Sequence, residues 1–400
     1  MEPTLAWIDL TARDRDKMRR VLDLFTEQGT VDEMGLGTIR DTFSDALFPG
    51  TSTLQTRLRY LLFVPWIYQR LERRRVLSDD VAVHAREREM KLMRALLESE
   101  DTEGAFGRQA GESLIRLPSS VYWAGLVRWG IFLPRQSQSW YHTHFTSPAH
   151  HQDEIGRPDD PGVVWAREHT WHPRLPKPPR GFPKEASFAL TYEEADFLRG
   201  RIEERCPGTL LAWLASRGTA SPADSFWEDS SALEANADIR NTIELARRFS
   251  LHMEGPPLLY NLLLAERRHE LHGSDEELIQ EYRQDLAAWG EDEAQEDDFS
   301  PKALWSLMAR AGARIVEPQR RFVEAWSTRL AEVGARAVAD DDLLRGLVAD
   351  RERRLKGNRA RLVNEGRLLD WSGGVGLGRM DFRWSRVRQL VIDLHEGLAS

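Results

Sequence analysis

Hydrophobic positions recur along most of the chain at the spacing of one buried helix face. Met18, Val21, Leu22 and Phe25 follow the i, i+3, i+4, i+7 pattern. Thr11 or Asp14 can cap that segment, and Gly29 can close it. Asp32 can cap a second segment carrying Ile39, Phe43, Ala46 and Leu47, which stops at Phe48-Pro49-Gly50. Ser52 or Thr53 is expected to restart a helix with Leu54, Leu58, Leu61 and Leu62 on one face, kinked or ended by Pro65. Helices are predicted at about 80–97 and 112–117. The run Val121 to Phe132 is apolar nearly all round and should be buried.

Residues 133–186 break the pattern and hold nine of the nineteen prolines, which reads as a linker or a functional insert. Helical periodicity resumes at Thr191-Tyr192-Glu193-Glu194, a capping-box pattern that opens a helix to Arg205. Further helices are expected at about 231–249, 258–271 and 276–289. After an acidic break at 291–298 come 301–311, where Ser300-Pro301 is a good start, then 318–333, 341–362 and 384–398. No strand pattern exceeds a few residues. The predicted class is mainly α, with two or three helical domains and a long proline-rich insert. The divisions are 1–132, 133–186, 187–290 (acidic) and 291–400 (basic).

Composition narrows the function. The longest apolar run, Leu61 to Tyr68, is far short of a membrane span of ~20 residues, and the opening Met1-Glu2-Pro3-Thr4 lacks a basic leader. A cytoplasmic protein with no membrane partner is expected. The single cysteine, Cys206, excludes a disulfide framework and any cysteine-based metal centre. Fourteen tryptophans exceed ordinary usage and should anchor cores or partner surfaces. The net charge of −9 is unevenly placed: 0 over 1–150, −15 over 151–300 and +6 over 301–400. Segment 351–388 alone holds eleven basic against four acidic side chains.

Catalytic signatures are weak. His142, His144, His150, His151, His169 and His172 cluster in sequence, near Asp153, Glu154 and Glu168. Their spacing matches no established metal motif, and a proline-rich loop is a poor scaffold for ligands. A metal-dependent nuclease would draw on His142, His144 and His151, or on Asp159, Asp160 and Glu168; otherwise no metal and no cofactor is expected. His269-Glu270-Leu271-His272 is one residue too short for a zinc helix. The glycines at 373, 374, 376 and 378 lack the Gly-Lys-Ser/Thr of a phosphate loop. No GxSxG elbow occurs. No enzyme class is indicated.

Two features point to nucleic acid. Gly35 to Phe63 fits a helix-turn-helix whose second helix would present Ser52, Gln55, Thr56, Arg57 and Arg59 away from its leucine stripe. Arg353, Arg354, Lys356, Arg359 and Arg361 would form a cationic ridge. Arg379, Arg383, Arg386 and Arg388 follow beside Phe382 and Trp384, a mixture suited to phosphate contact and base stacking. The competing reading pairs these arginines with the acidic middle of the chain.

Ile39-Arg40-Asp41, the run Phe48-Pro49-Gly50-Thr51-Ser52, Gln55 to Tyr60, and Phe63-Val64-Pro65-Trp66-Ile67-Tyr68 together resemble an uncharacterised bacterial family, domain of unknown function 6361. Tyr122-Trp123, Trp129-Gly130, Gly255 to Asn261, Asn358 to Arg361 and Asp381 to Trp384 extend the resemblance over the whole chain. It brings no known activity, so it assigns no catalytic residue. Genes of this family neighbour helicase and nuclease genes of anti-phage defence clusters, which implies a role beside DNA. The expected function is a non-enzymatic, DNA-associated accessory subunit of a defence or DNA-processing system. The alternative is a scaffold for a helicase or nuclease partner with no DNA affinity of its own.

Overall fold

A computed structural model describes residues 32–108, 111, 114–146, 169–217, 223–273, 275–296 and 299–400. Its α-helices, in chain order, begin with α1 (Gly37–Leu47), α2 (Tyr60–Arg73), α3 (Ser78–Leu97), α4 (Pro118–Arg128) and α5 (Gln138–Thr143). Then come α6 (Tyr192–Arg205), α7 (Leu210–Arg217), α8 (Ser230–Leu233), α9 (Ala237–His252), α10 (Gly255–His272) and α11 (Glu276–Ala294). The last are α12 (Pro301–Arg310), α13 (Glu317–Val333), α14 (Asp342–Lys356), α15 (Glu365–Leu369) and α16 (Trp384–Ala399). Among the described residues the only strand-like pairing is a bridge between Phe132 and Trp171, so the protein is mainly α.

Two compact units divide the chain. One comprises 1–42 and 245–380; the other comprises 43–244 and 381–400. The predicted helix of residues 11–28 lies outside the described residues.

The unit of residues 43–244 and 381–400 is built round α2. Pro65 sits inside this helix without ending it, and ten of its fourteen residues are buried. Tyr60 meets Phe106, Tyr122 and Phe188 at ring-centroid distances of 5.1 to 5.4 Å. Further along, Tyr68 contacts Trp123, Tyr141 and Trp171. The end of the proline-rich stretch belongs to this core. Trp66 donates its indole N–H to the Pro176 carbonyl at 2.6 Å, and Phe182 stacks on Phe63. Thr191 and Glu194 form the capping box their spacing predicted, opening α6. Helix α16 packs on α6 where Gly397 approaches Leu190 and Ala195.

In the unit of residues 32–42 and 245–380, Asp32 accepts the N–H groups of Leu36 and Gly37 at 2.6 Å, the capping expected of it. Helices α10 and α11 pair across a short turn at Gly273, whose φ of 70° suits glycine. The acidic stretch predicted to break after 289 instead continues α11 to Ala294. The glycine-rich segment is tied down. Asn261 bonds Val375 in both directions, at 2.8 and 2.9 Å, and Tyr282 donates to the Gly373 carbonyl. Of the twelve described tryptophans eight are buried and serve the cores, and four are half-buried.

Candidate nucleic-acid interface

The expected reading helix does not form. Residues 52–59 are irregular, and α2 starts only at Tyr60. Long-range partners take the N–H groups a helix would need. Tyr122 hydroxyl accepts from Thr56 at 2.8 Å and from Arg57 at 3.0 Å, and Asp393 accepts from Leu58 at 2.7 Å. The side chains turn inward as well. Gln55 is 1% exposed and donates to the Gly50 carbonyl at 3.2 Å, while Thr56 hydroxyl donates to Gly104 at 2.6 Å.

Arg57 donates through Nε to Asp393 at 3.0 and 3.1 Å and also pairs with Asp101. Burial works against its charge, but the two carboxylates outweigh it and hold the guanidinium above the ordinary arginine value. Arg59 pairs with buried Glu194 at 2.8 Å and donates to Ser187. Four residues chosen as base readers are therefore framework for the loop between α1 and α2.

Much of the C-terminal ridge is neutralised within its own unit. Glu352 is fully buried and accepts N–H groups of Arg361 at 2.8 Å and Leu362 at 3.1 Å, the hydroxyl of Tyr260, and Lys356 at 3.2 Å. Lys356 and Arg361 both pair with buried Glu33. Arg379 bridges Glu254 at 2.9 Å and Asp292 at 3.0 Å. In the other unit Arg383 pairs with Asp45 at 2.7 Å and Arg388 with Asp224 at 3.1 Å. The expected pairing with the acidic middle thus holds at Arg379 and at Arg388. Arg353, Arg354 and Arg359 stay exposed, Arg353 with an Asp350 partner at 3.0 Å.

A different basic cluster stands out where α2 ends against α3. Arg70 and Arg73 occupy the last turn of α2, Arg74 caps it, and Arg75 follows. Cations suit this end of a helix dipole. Arg88 of α3 lies close enough that, after burial, repulsion from Arg74 and Arg70 pushes it below the ordinary arginine value. Among the described residues no carboxylate comes within ion-pair distance of Arg70, Arg73, Arg74 or Arg88. Arg70 and Arg73 donate to carbonyls, of Phe182 at 3.2 Å and Gln69 at 3.3 Å.

The one acid of this run, Glu72, turns the other way and accepts from Tyr141 hydroxyl and from Trp171 Nε1. Burial pushes its carboxyl up to about 7, muting its charge. The run Arg70 to Arg75 was visible in the sequence. The closeness of Arg88 was not, because it depends on the packing of α3 on α2.

No metal centre emerges among the described residues, where no group of three or more potential ligands gathers. His142 is bonded to Tyr68 hydroxyl at 2.8 Å, and burial lowers its pKa. His144 stacks on Trp140 and bonds its carbonyl at 2.8 Å. His172 is held down to about 4 by burial and then by Arg201 and Arg174. His150, His151, Asp153, Glu154, Asp159, Asp160 and Glu168 lie outside the described residues.

A mainly α protein of two compact units with an arginine cluster where α2 meets α3 is the class these observations define. The chain belongs to the family of unknown function DUF6361, which it matches over residues 2–397. No curated protein and no solved structure matches it significantly. No helix among the described residues is long and apolar enough to cross a membrane.

Proposed function

We propose that the protein is a DNA-associated accessory subunit of a bacterial anti-phage defence or DNA-processing system, holding phosphates through Arg70, Arg73, Arg74 and Arg88. One observation carries this reading: among the described residues the guanidinium groups of Arg70, Arg73, Arg74 and Arg88 have no carboxylate partner, while the acid in their midst is turned inward. Such a cluster costs electrostatic self-repulsion that a bound polyanion relieves.

The test is fluorescence anisotropy of a labelled duplex from 50 to 200 mM salt, values in the range where counterion release is steep. Replacing Arg73, Arg74 and Arg88 by Ala should weaken binding and reduce the log–log salt slope by about 3. The same change at Arg353, Arg354 and Arg359 should have the smaller effect. An unchanged slope in the first variant would overturn the assignment. The internal pairing of the C-terminal arginines favours a second reading, a scaffold for a helicase or nuclease. It predicts co-purification with such a partner and no duplex binding by the wild-type chain.

A further inference from the structure

Within residues 245–380 a cavity of about 420 Å³ opens beside α9, α11 and α13. Four buried polar side chains on its wall form one continuous chain of hydrogen bonds. Ser327 Oγ lies 2.8 Å from His252 Nε2. His252 Nδ1 lies 2.7 Å from Glu293 Oε1. Arg248 holds the same carboxylate through Nη1 at 3.1 Å and Nη2 at 3.3 Å. Phe299 stacks on the imidazole, with ring centroids 4.5 Å apart and an interplanar angle of 24°.

The order of groups fixes the chemistry. Burial alone would raise the Glu293 carboxyl. Hydrogen bonds from His252 and Arg248, and their charges, outweigh that effect and hold it below the ordinary carboxylate value. An ionised Glu293 calls for a proton on Nδ1, so in the neutral ring Nε2 is the basic atom and faces the serine. Ser327 Oγ donates to the Val323 carbonyl one helical turn back at 2.8 Å, and a rotation about its Cβ–Oγ bond would turn the same proton to His252 Nε2. Its single hydroxyl proton therefore has two acceptors in reach, one of them a base. Burying a guanidinium, a carboxylate and an imidazole is a weak way to stabilise a fold, because the desolvation cost offsets the attraction. A nucleophile touching a base, with the base oriented by an anchored carboxylate beside an open space, is the arrangement covalent catalysis requires.

We propose that Ser327, His252 and Glu293 form an acyl-transfer site for small carboxylic esters, their acyl group lying against Phe299, Leu330 and Ala331. In the first step Ser327 Oγ bonds to the ester carbon while its proton passes to His252 Nε2. The C–O bond to the alcohol then breaks, and the alcohol leaves with that proton. Water next attacks the acyl-serine, giving its proton to His252. The carboxylic acid departs as Ser327 recovers a proton from the imidazole. Glu293 holds the ring and balances the imidazolium, and Arg248 fixes Glu293.

Exposure of the full chain to an alkyl fluorophosphonate tests this. Ser327 Oγ should displace fluoride and form one phosphonyl adduct, which peptide mass mapping assigns. Ser327→Ala should lose the adduct and also hydrolysis of 4-nitrophenyl butyrate. His252→Asn should slow labelling at least ~100-fold. Because His252→Asn disturbs a buried network, circular dichroism accompanies it, and Glu293→Gln serves as a second variant expected to slow labelling while staying folded. Folded wild-type protein that acquires no adduct on Ser327 would overturn the proposal, as would hydrolysis surviving Ser327→Ala. Duplex binding of Ser327→Ala should match wild type, which separates this site from the arginine cluster.

Discussion

Replacing Glu89 by Gln should remove a defined share of the pH dependence of stability. Glu89 is fully buried on α3 and accepts the Ser119 N–H and hydroxyl, each at 2.8 Å, at the start of α4. Burial pushes its carboxyl from an ordinary 4.5 to about 7, against those hydrogen bonds. Between these values the folded chain keeps a proton that the unfolded chain has released, so raising the pH favours unfolding. A difference of about 2.5 in pKa corresponds to about 3 kcal/mol, present at low pH and lost as pH rises through 7. Gln at this position can still accept the Ser119 N–H and carries no titrating proton.

Urea unfolding followed by tryptophan fluorescence at pH 5 and 8 should therefore show the variant gaining on wild type. The gain across that range should be about 2 to 3 kcal/mol. A stability difference between the two proteins that stays constant with pH would refute the reasoning.

Two further substitutions probe the same unit. Asp393→Ala strands Arg57 Nε and the Leu58 N–H in a buried site and leaves Arg57 with Asp101 as its carboxylate, so calorimetry should register a loss of about 3 kcal/mol and a lower Tm. Gly397→Val places a side chain where even a Cβ would come within 2.7 Å of Leu190 Cβ and 2.8 Å of Ala195 Cβ. The α6–α16 contact must open, at a cost of about 1–3 kcal/mol in urea unfolding.

Local signals were legible wherever local chemistry governs. Asp32, Thr191 with Glu194, and Ser300 before Pro301 announced helix starts that the structure contains, because a cap is decided by residues three to five apart. The start of α2 was misplaced by about seven or eight residues, since the groups that unwind 52–59 are Tyr122 and Asp393, invisible to any short window. The same blindness affected the interface. Gln55, Arg57 and Arg59 look like a polar helix face until their partners Gly50, Asp393 and Glu194 are known. Arg353 and Lys356 are near neighbours in sequence, yet one is exposed and the other sits over Tyr260 beside Glu33. The triad of Ser327, His252 and Glu293 comes from three helices with no shared motif, so spacing carried no trace of it.

The bond between Arg57 and Asp393 joins positions 336 residues apart. At ribosomal rates of about 5–20 residues per second, the arginine waits roughly 17 to 67 s for its counter-ion to be synthesised. During that interval Asp101, 44 residues further on, is the carboxylate within the guanidinium's reach, and the Leu58 N–H lacks its acceptor. Completion of this unit thus waits for the emergence of α16, however early the surrounding helices form.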